Sequence, residues 1–510
     1  MFSKLISGTI YGLRASLISV EVDFSQGLPC FVMVGNLRGE VRESAERVRI
    51  ALKNLKITIP PMHIAVNLSP ADITKSGTGF DLPIALGLLM NLELIPQDSL
   101  DNTLVLGEIG LNGEIKKING VMPIVWEAAK NGINCCIVPL ENADEAALVK
   151  NIKVVGINNI SQCIEYLNLS PQDKDIRFPP AINQYALSPL ELSDLDFADI
   201  SGQESLKRGA LIAVSGFHHM LLIGPPGSGK TMIARRIPTI LPPLSEEESM
   251  DVTSIYSIAG KLSGNSPIIT SPPFVSPHHT ISPQGMAGGG SIPKPGAISL
   301  SHKGVLFLDE LPEFQRASID MLRQPLEEKN INITRATGSF IYPADIMLIA
   351  AMNPCPCGYY PDTNKCNCSP NSIKRYLSHI SGPIMDRIDI CLTSQRVNIS
   401  DLQTRKSGAS SAELAKEVIK ARKIQAHRYE NSSIEYNSKL SVKDMNTYCT
   451  LSQENQNLLE NICSKLEISA RAYHRLLRVS RTIADLDNSE EIKTEHISEA
   501  ICLRPQLIKL

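Results

Sequence analysis

The stretch "GPPGSGKT", Gly224 to Thr231, constrains the fold of this chain more than any other. Gly224, four intervening residues, then Gly229, Lys230 and Thr231 make a Walker A pattern. Such a loop needs a buried strand before it and a helix after it, because backbone N–H groups and a helix N-terminus must point at one phosphate. The flanks meet that demand. "HHMLLIG" reads as a short buried strand and "KTMIARRI" as the opening of a helix. Gly224, Pro225, Pro226, Gly227, Ser228 and Gly229 would then cradle the phosphates of a nucleotide such as ATP. Lys230 would reach the β- and γ-phosphates, and the Thr231 hydroxyl would ligate Mg²⁺.

The text downstream predicts an α/β core with a doubly wound parallel sheet. "MLLIG", "GVLFLDE" and "IMLIAAMNP" are apolar runs without alternation, which suits parallel strands covered on both faces. "GVLFLDE" ends in Asp309 and Glu310. Asp309 is expected to hold Mg²⁺ and Glu310 to orient the attacking water. Strand alternation would turn the two carboxylates to opposite sides. Asn353 closes the next run; it is read as a sensor holding the attacking water, the plainer reading being a turn at Asn-Pro. Arg387 in "GPIMDRIDI" lies between Asp386 and Asp389. It is either a surface ion pair or a finger inserted into a neighbouring subunit's site. Arg471 in "SARAYHRLL" starts a helix and is expected to touch the γ-phosphate.

Composition breaks the 510-residue chain twice, at the Pro-, Ser- and Asp-rich stretch 168–194 and at 394–411. The expected order is a first domain over 1–167, a linker over 168–194, the nucleotide core over 195–395 and a helical domain over 396–510. The last rests on "SAELAKEVIKARKIQAHRY" and "SARAYHRLLRVSRTIADL", whose apolar residues recur at helical spacing. Charge is balanced, 50 basic against 53 acidic residues, so any nucleic-acid partner would need a local basic channel. Lys416, Lys420, Arg422, Lys423 and Arg428 on one tail helix, and Arg475, Arg478 and Arg481 on another, offer modest support for one. No apolar run approaches the ~20 residues that span a bilayer, so no membrane is expected. "MFSKLISGTIYGL" is a poor signal peptide and reads as a strand start. Twelve cysteines, mostly scattered, fit a reducing cytoplasm.

One cysteine cluster stands apart. "NPCPCGYYPDTNKCNC" places Cys355, Cys357, Cys366 and Cys368 in two Cys-x-Cys pairs, a donor set able to close a tetrahedral structural Zn²⁺ site. Free or redox-labile thiols and an iron–sulfur cluster are the alternatives. His278 and His279 are read as turn residues, since adjacent histidines seldom chelate one ion well. Gly288 to Gly290, followed by "SIPKPG", reads as a hairpin tip from which Lys294 could follow a phosphate backbone.

The order Walker A, Asp309–Glu310, Asn353, Arg387 and Arg471 resembles the AAA+ superfamily. The insertion "PHHTISPQGMAGGGSIPKPGAISLSHKGVLFLDELPEF" resembles the magnesium-chelatase-related AAA+ proteins of the YifB/ComM type. "DFADISGQESLKRGALIAVSGFHHMLLIGPPGSGKT" and "ARAYHRLLRVSRTIADL" extend the likeness along the chain. The resemblance implies a homo-hexameric ring with ATP sites between subunits, Arg387 as the trans-acting finger and Arg471 as the sensor-2 arginine of a C-terminal helical lid. It also implies work on single-stranded or branched DNA. "LSPADITKSGTGFDLPIAL" looks like the α+β proteolytic domain of Lon-type proteases. In that pattern the nucleophilic serine falls on Gly79, and the dyad lysine falls near Met122 to Ile124, where there is none. Ser76, Lys75, Lys116 and Lys117 do not take the matching positions, so an inactive Lon-like domain is expected. The basic residues Arg38, Arg42, Arg47 and Arg49 are read as a solvated helix face rather than a phosphate contact. Three functions stay open: a DNA motor with helicase or branch-migration activity, a metal-insertion ATPase like the chelatase motor, and an ATP-dependent protease or unfoldase.

Overall fold

The computed structural model of the chain describes residues 1–182, 195–262, 267–290, 293–335, 338–394 and 408–504. They form two compact units. One comprises Met1–Ser188, Ser249–Ile269 and Thr334–Ile341; the other comprises Pro189–Glu248, Thr270–Ile333 and Tyr342–Leu510. Most of the stretch 168–194 beyond a helix at Pro171–Arg177, and most of 394–411, lie outside the described residues.

The first unit is built on a seven-stranded mixed sheet. "MFSKLISGTIY" does start a strand, Phe2–Tyr11, which pairs antiparallel with Arg14–Ser25 in a register running from Phe2 opposite Asp23 to Tyr11 opposite Arg14. Gly12 makes the turn with φ +67°, a conformation that costs glycine nothing. Beyond this hairpin, Thr103–Val105, Cys135–Pro139 and Lys153–Ile157 add in parallel, all buried or nearly so. The helix Asp81–Asn91 is buried along its whole length, which explains its unbroken apolar text. Asp81 at its start is a fully buried carboxylate, satisfied by the Ile109 N–H at 3.2 Å and by Arg47 through two bonds of 2.8 and 2.9 Å. Arg47 is therefore an internal counter-ion rather than part of a solvated face, while Arg49 pairs with Glu46 at the surface. The helix Val121–Lys130 carries Met122, Pro123 and Ile124 inward, and the Met122 N–H donates to the buried Glu145 carboxylate at 3.0 Å. Lys75 is buried with its ammonium on the Pro70 carbonyl, and burial lowers its pKa. It makes no bond to the Ser76 hydroxyl among those the described residues show.

The second unit holds a five-stranded sheet, every pair of which is parallel. In spatial order the strands are Phe274–Val275, Val305–Leu308, Met347–Met352, Met220–Ile223 and Ile390–Thr393. The middle three have no exposed residue, so their apolar runs face helices on both sides. Helices of the tail share one apolar cluster with this sheet: Leu414, Val418, Leu477, Ile483 and Ala500 pack in the same core as Met220, Leu222, Phe307 and Ile349. Ser411–Arg428 opens with a capping box, Ser410 and Glu413 bonding each other's backbone N–H.

The tail also carries a buried polar network. Asp485 is fully buried and accepts from Arg481 Nε at 3.1 Å, from Asn437 Nδ2 at 2.8 Å and from both Arg428 Nη atoms. Thr482, one turn earlier on the same helix, bonds His218 Nε2 at 2.8 Å, and His218 Nδ1 meets Asp389 at 3.2 Å. Arg422 stacks on Tyr436 and donates to the Val214 carbonyl at 2.6 Å. Four of the eight tail cations expected to support a nucleic-acid channel are thus spent inside the fold, because each of Arg422, Arg428, Arg475 and Arg481 has internal acceptors. Asp485→Asn would leave two arginines without their counter-ion. It should cost about 3–5 kcal/mol, the usual loss on breaking a buried pair, read as a shift of the denaturation midpoint at constant slope; a loss below about 1 kcal/mol would mean that the network is solvated.

Candidate functional site

Gly224, Asp309, Asn353 and Ser394 each follow directly on the carboxyl end of a strand of the parallel sheet, at Ile223, Leu308, Met352 and Thr393. Parallel pairing brings those ends to one edge, the place where open α/β sheets bind ligands. Gly224 cannot carry a side chain: a Cβ there would stand 1.9 Å from Ser394 Oγ. Gly227 and Gly229 have φ of +74° and +83°, so the loop folds back on itself and the helix Lys230–Arg236 starts at once. Ser228 ties the loop to the neighbouring strand exit through a 2.6 Å bond to Ser394 Oγ.

Lys230 Nζ donates to the carbonyls of Gly224 at 2.7 Å and Pro225 at 3.0 Å, and to Asn353 Oδ1 at 3.2 Å. Burial pushes its pKa down, against the pull of Asp309 and Glu310. Thr231 Oγ1 donates to Asp309 Oδ2 at 2.8 Å. That separation is close to the edge of a Mg²⁺ octahedron, about 3.0 Å for metal–oxygen bonds near 2.1 Å. Around these groups lies a cleft of about 400 Å³ lined by Pro226 to Met232, Asp309, Glu310, Met352 and Asn353.

Asp309 and Glu310 do diverge, but not through strand alternation. The strand stops at Leu308, and Glu310 takes a left-handed conformation, φ +54°, with its N–H bonded back to Asp309 Oδ1 at 3.0 Å. The turn sends Glu310 toward solvent and leaves Asp309 on Thr231. His279 Nδ1 lies 3.5 Å from Glu310 Oε2, a neighbour that no reading of the histidine pair anticipated, since the insertion brings it there from thirty-one positions upstream.

Arg387 and Arg471 are not in this cleft; among the described residues no arginine lines it. Both line a second and larger cavity, about 490 Å³, together with Asp386, Asp389, Arg475 and Arg478. The loop, the lysine and the carboxylates converge in the smaller cleft. Neither flanking aspartate pairs with Arg387. Its guanidinium meets Glu327 and the Pro383 carbonyl, while Asp389 is buried on His218 and Asp386 faces Arg471 at 3.7 Å. Arg471, expected over its own chain's γ-phosphate, stands beside the Arg387 turn instead.

The four cysteines converge. Cys355 Sγ lies 3.4 Å from Cys357 Sγ and 3.8 Å from Cys366 Sγ, Cys357 is 3.6 Å from Cys366, and all four sulfurs fall within 4.8 Å of one another. A ZnS₄ tetrahedron with bonds of about 2.3 Å has an edge of about 3.8 Å, so the donor set fits. The loop also touches the nucleotide cleft. A Cβ on Gly358, φ +84°, would stand 2.4 Å from Pro226 Cδ, so only glycine lets the cysteine loop rest against the phosphate loop. The insertion forms a two-stranded antiparallel ribbon, Gly288 opposite Pro295 and Gly289 opposite Lys294, with Lys294 exposed.

A phosphate loop and an acidic pair on one parallel sheet, in a chain that matches a chelatase motor family, define an AAA+-type ATPase. Residues 196–402 match the family "Magnesium chelatase, subunit ChlI", residues 20–142 match "Subunit ChlI of Mg-chelatase", and residues 408–504 match its C-terminal family. The chain is 39% identical over 495 residues to the competence protein ComM of Haemophilus influenzae, covering 97% of this chain and 95% of that protein. It is equally similar, 39% over 494 residues with the same coverage, to the uncharacterized protein YifB of Escherichia coli. A shorter likeness to Lon protease 2 of Bacillus subtilis, 28% over 145 residues, covers 28% of this chain and 25% of that protein. This chain belongs to the magnesium-chelatase-related family of the ComM/YifB type. No described helix is long and apolar enough to cross a membrane.

If Lys230 is what the cleft offers to phosphate, Lys230→Ala should weaken binding of a fluorescent ATP analogue by about 3 kcal/mol, roughly 100-fold. Unchanged affinity would remove the lysine from the site.

Proposed function

We propose that the chain is a homo-hexameric AAA+ motor that hydrolyses ATP to move DNA strands, as a helicase or branch-migration factor. The observation that carries the ring is the separation of the two halves of the site. Lys230, Thr231, Asp309, Glu310 and Asn353 gather in one cleft, whereas Arg387 and Arg471 gather in another. A neighbouring copy that presents its arginine cavity to this cleft completes the site, and the same head-to-tail contact repeated from copy to copy closes a ring.

In that site Lys230 leaves the Gly224 and Pro225 carbonyls for the β- and γ-phosphate oxygens, while Asn353 holds the attacking water. Thr231 and Asp309 hold Mg²⁺, which when bound neutralises charge on the phosphates. Glu310 accepts a proton from the water, and His279 fixes its carboxylate. Arg387 and Arg471 of the adjoining copy stabilise charge on the transferring phosphoryl group.

DNA as the substrate is supported by the relative named for competence and by surface chemistry. Lys416, Lys420 and Lys423 are exposed at helical spacing on Ser411–Arg428, and Lys294 is exposed on the insertion ribbon. The four cysteines hold a structural zinc that stiffens the chain after Asn353. The first unit is a Lon-like domain without proteolytic activity, since Gly79 stands where the serine would be.

The test is ATP turnover with and without single-stranded and branched DNA. Stimulation by DNA, lost in both Lys230→Ala and Glu310→Gln while the latter still binds ATP, is the expected result. Turnover indifferent to every DNA would sink the motor reading and pass the question to a porphyrin-bearing or protein partner. Metal analysis should find one zinc per chain in protein purified under reducing conditions, and Cys366→Ser should lose it; a full-length fold with neither zinc nor iron would leave the cysteines as plain thiols.

A further inference from the structure

Arg475 is the least expected member of the arginine cavity. Its side chain is only 12% exposed, and its Nη1 donates to two backbone carbonyls, Met385 at 3.1 Å and Ile388 at 2.6 Å. Its Nη2 stands 3.9 Å from Asp386 Oδ1. Met385, Asp386 and Ile388 are the residues that bracket Arg387. Arg471, one helical turn before Arg475, meets the other oxygen of Asp386 at 3.7 Å. One face of the helix Ala470–Leu486 thus grips, with residues four apart, the single turn that carries Arg387.

The grip has few other reasons to exist. Burial pushes the Arg475 guanidinium below its usual pKa, with Asp389 and Asp386 only opposing that shift, and its Nε is buried with no hydrogen-bond partner. An arginine held at that cost on the last carbonyl of the four-residue helix Gly382–Met385 and on the Ile388 carbonyl just after it is placed for the geometry of the turn. The far half of the same helix is locked to the core, by Asp485 on Arg428 and by Thr482 on His218. The turn therefore takes its position from a helix that cannot shift alone.

We propose that Arg475 is a positioning residue for the ATPase reaction: it clamps the Met385–Ile388 turn so that Arg387 projects in the one direction from which it can reach a neighbouring subunit's nucleotide. The inference rests on the shared-site ring proposed above. Arg475 touches no substrate. Its loss lets the turn move, and a displacement of about 1 Å at a charge-stabilising group is worth roughly 100-fold in rate.

The test is complementation between subunits of the full chain. Arg475→Ala should lower kcat roughly 100-fold with KM unchanged, and Arg475→Lys, which keeps one donor on a carbonyl, should recover part of the loss. Each defective chain is then mixed in equal amounts with Glu310→Gln and assembled in ATP. The Glu310→Gln subunit binds nucleotide but has an intact finger, so it lends that finger to its neighbour's cleft. Recovery of turnover by both the Arg387→Ala mixture and the Arg475→Ala mixture supports the proposal, because a fault in the finger is then supplied from outside the faulty chain. Recovery by the Arg387→Ala mixture alone overturns it, since the Arg475 fault would lie in that chain's own site or stability. Recovery by neither overturns the shared-site ring, and the clamp with it. Should Arg475→Ala fail to fold, Arg475→Lys is read in the same mixtures with the same three outcomes.

Discussion

The parallel pairing of Met220–Ile223 between Met347–Met352 and Ile390–Thr393 is the constraint on which the second unit depends. All three strands run the same way, so Gly224, Asn353 and Ser394 leave the sheet at one edge. Backbone approach there is so close that Gly224 can bear no Cβ and Ser394 bonds Ser228 directly. The lysine that follows has nowhere to go but the loop's own carbonyls and Asn353. An ammonium buried among neutral acceptors, with two carboxylates near, is poised for a stronger anion, and phosphate is the anion that the loop's N–H groups fit.

The same sheet explains why the helical tail is not an appendage. Leu414, Val418 and Ile483 share a core with the strands, and His218 at the entry to Met220–Ile223 is bonded to Thr482. Buried polar contacts of this sort specify one arrangement because each partner left alone would be a desolvated group without a mate. Through them the turn of Arg387, the helix of Arg471 and Arg475 and the strand before the phosphate loop form one continuous set of contacts. The cysteine loop adds a second link on the other side, since Gly358 rests on Pro226. The phosphate loop, the cysteine loop and the Arg387 turn are thus linked through packed neighbours, although the residues involved are spread over about 250 residues of chain.

Much of this was legible in the chain itself. The Walker A text, the acid pair after an apolar run and Asn353 after the next one announce a parallel sheet and its loaded edge, because unalternating apolar strands and a glycine loop are local signals. The four cysteines were legible as a donor set from their spacing alone. Other readings failed for a common reason. Arg47, Arg422 and Arg428 look like solvated or nucleic-acid-facing charges, and each is spent on a partner distant in sequence: Asp81, Val214 and Asp485. Arg481 is spent closer by, on Asp485 of its own helix and on the turn after it. Spacing on a helix tells which residues share a face but not what covers that face.

By itself, then, the sequence determined the strand–loop–helix grammar of the phosphate loop, the four-thiol donor set of the cysteine cluster and the lack of the serine and lysine that a Lon-type protease would need. Those features depend on neighbours within a few residues, where chain connectivity dictates geometry. The tertiary structure decided which charges are internal, that His279 stands on Glu310, and that Arg387 and Arg471 gather around Asp386 and Arg475 away from their own chain's phosphate loop. These depend on contacts between residues tens to hundreds apart, set by how buried surfaces and buried polar groups are jointly satisfied, and no local pattern encodes that balance.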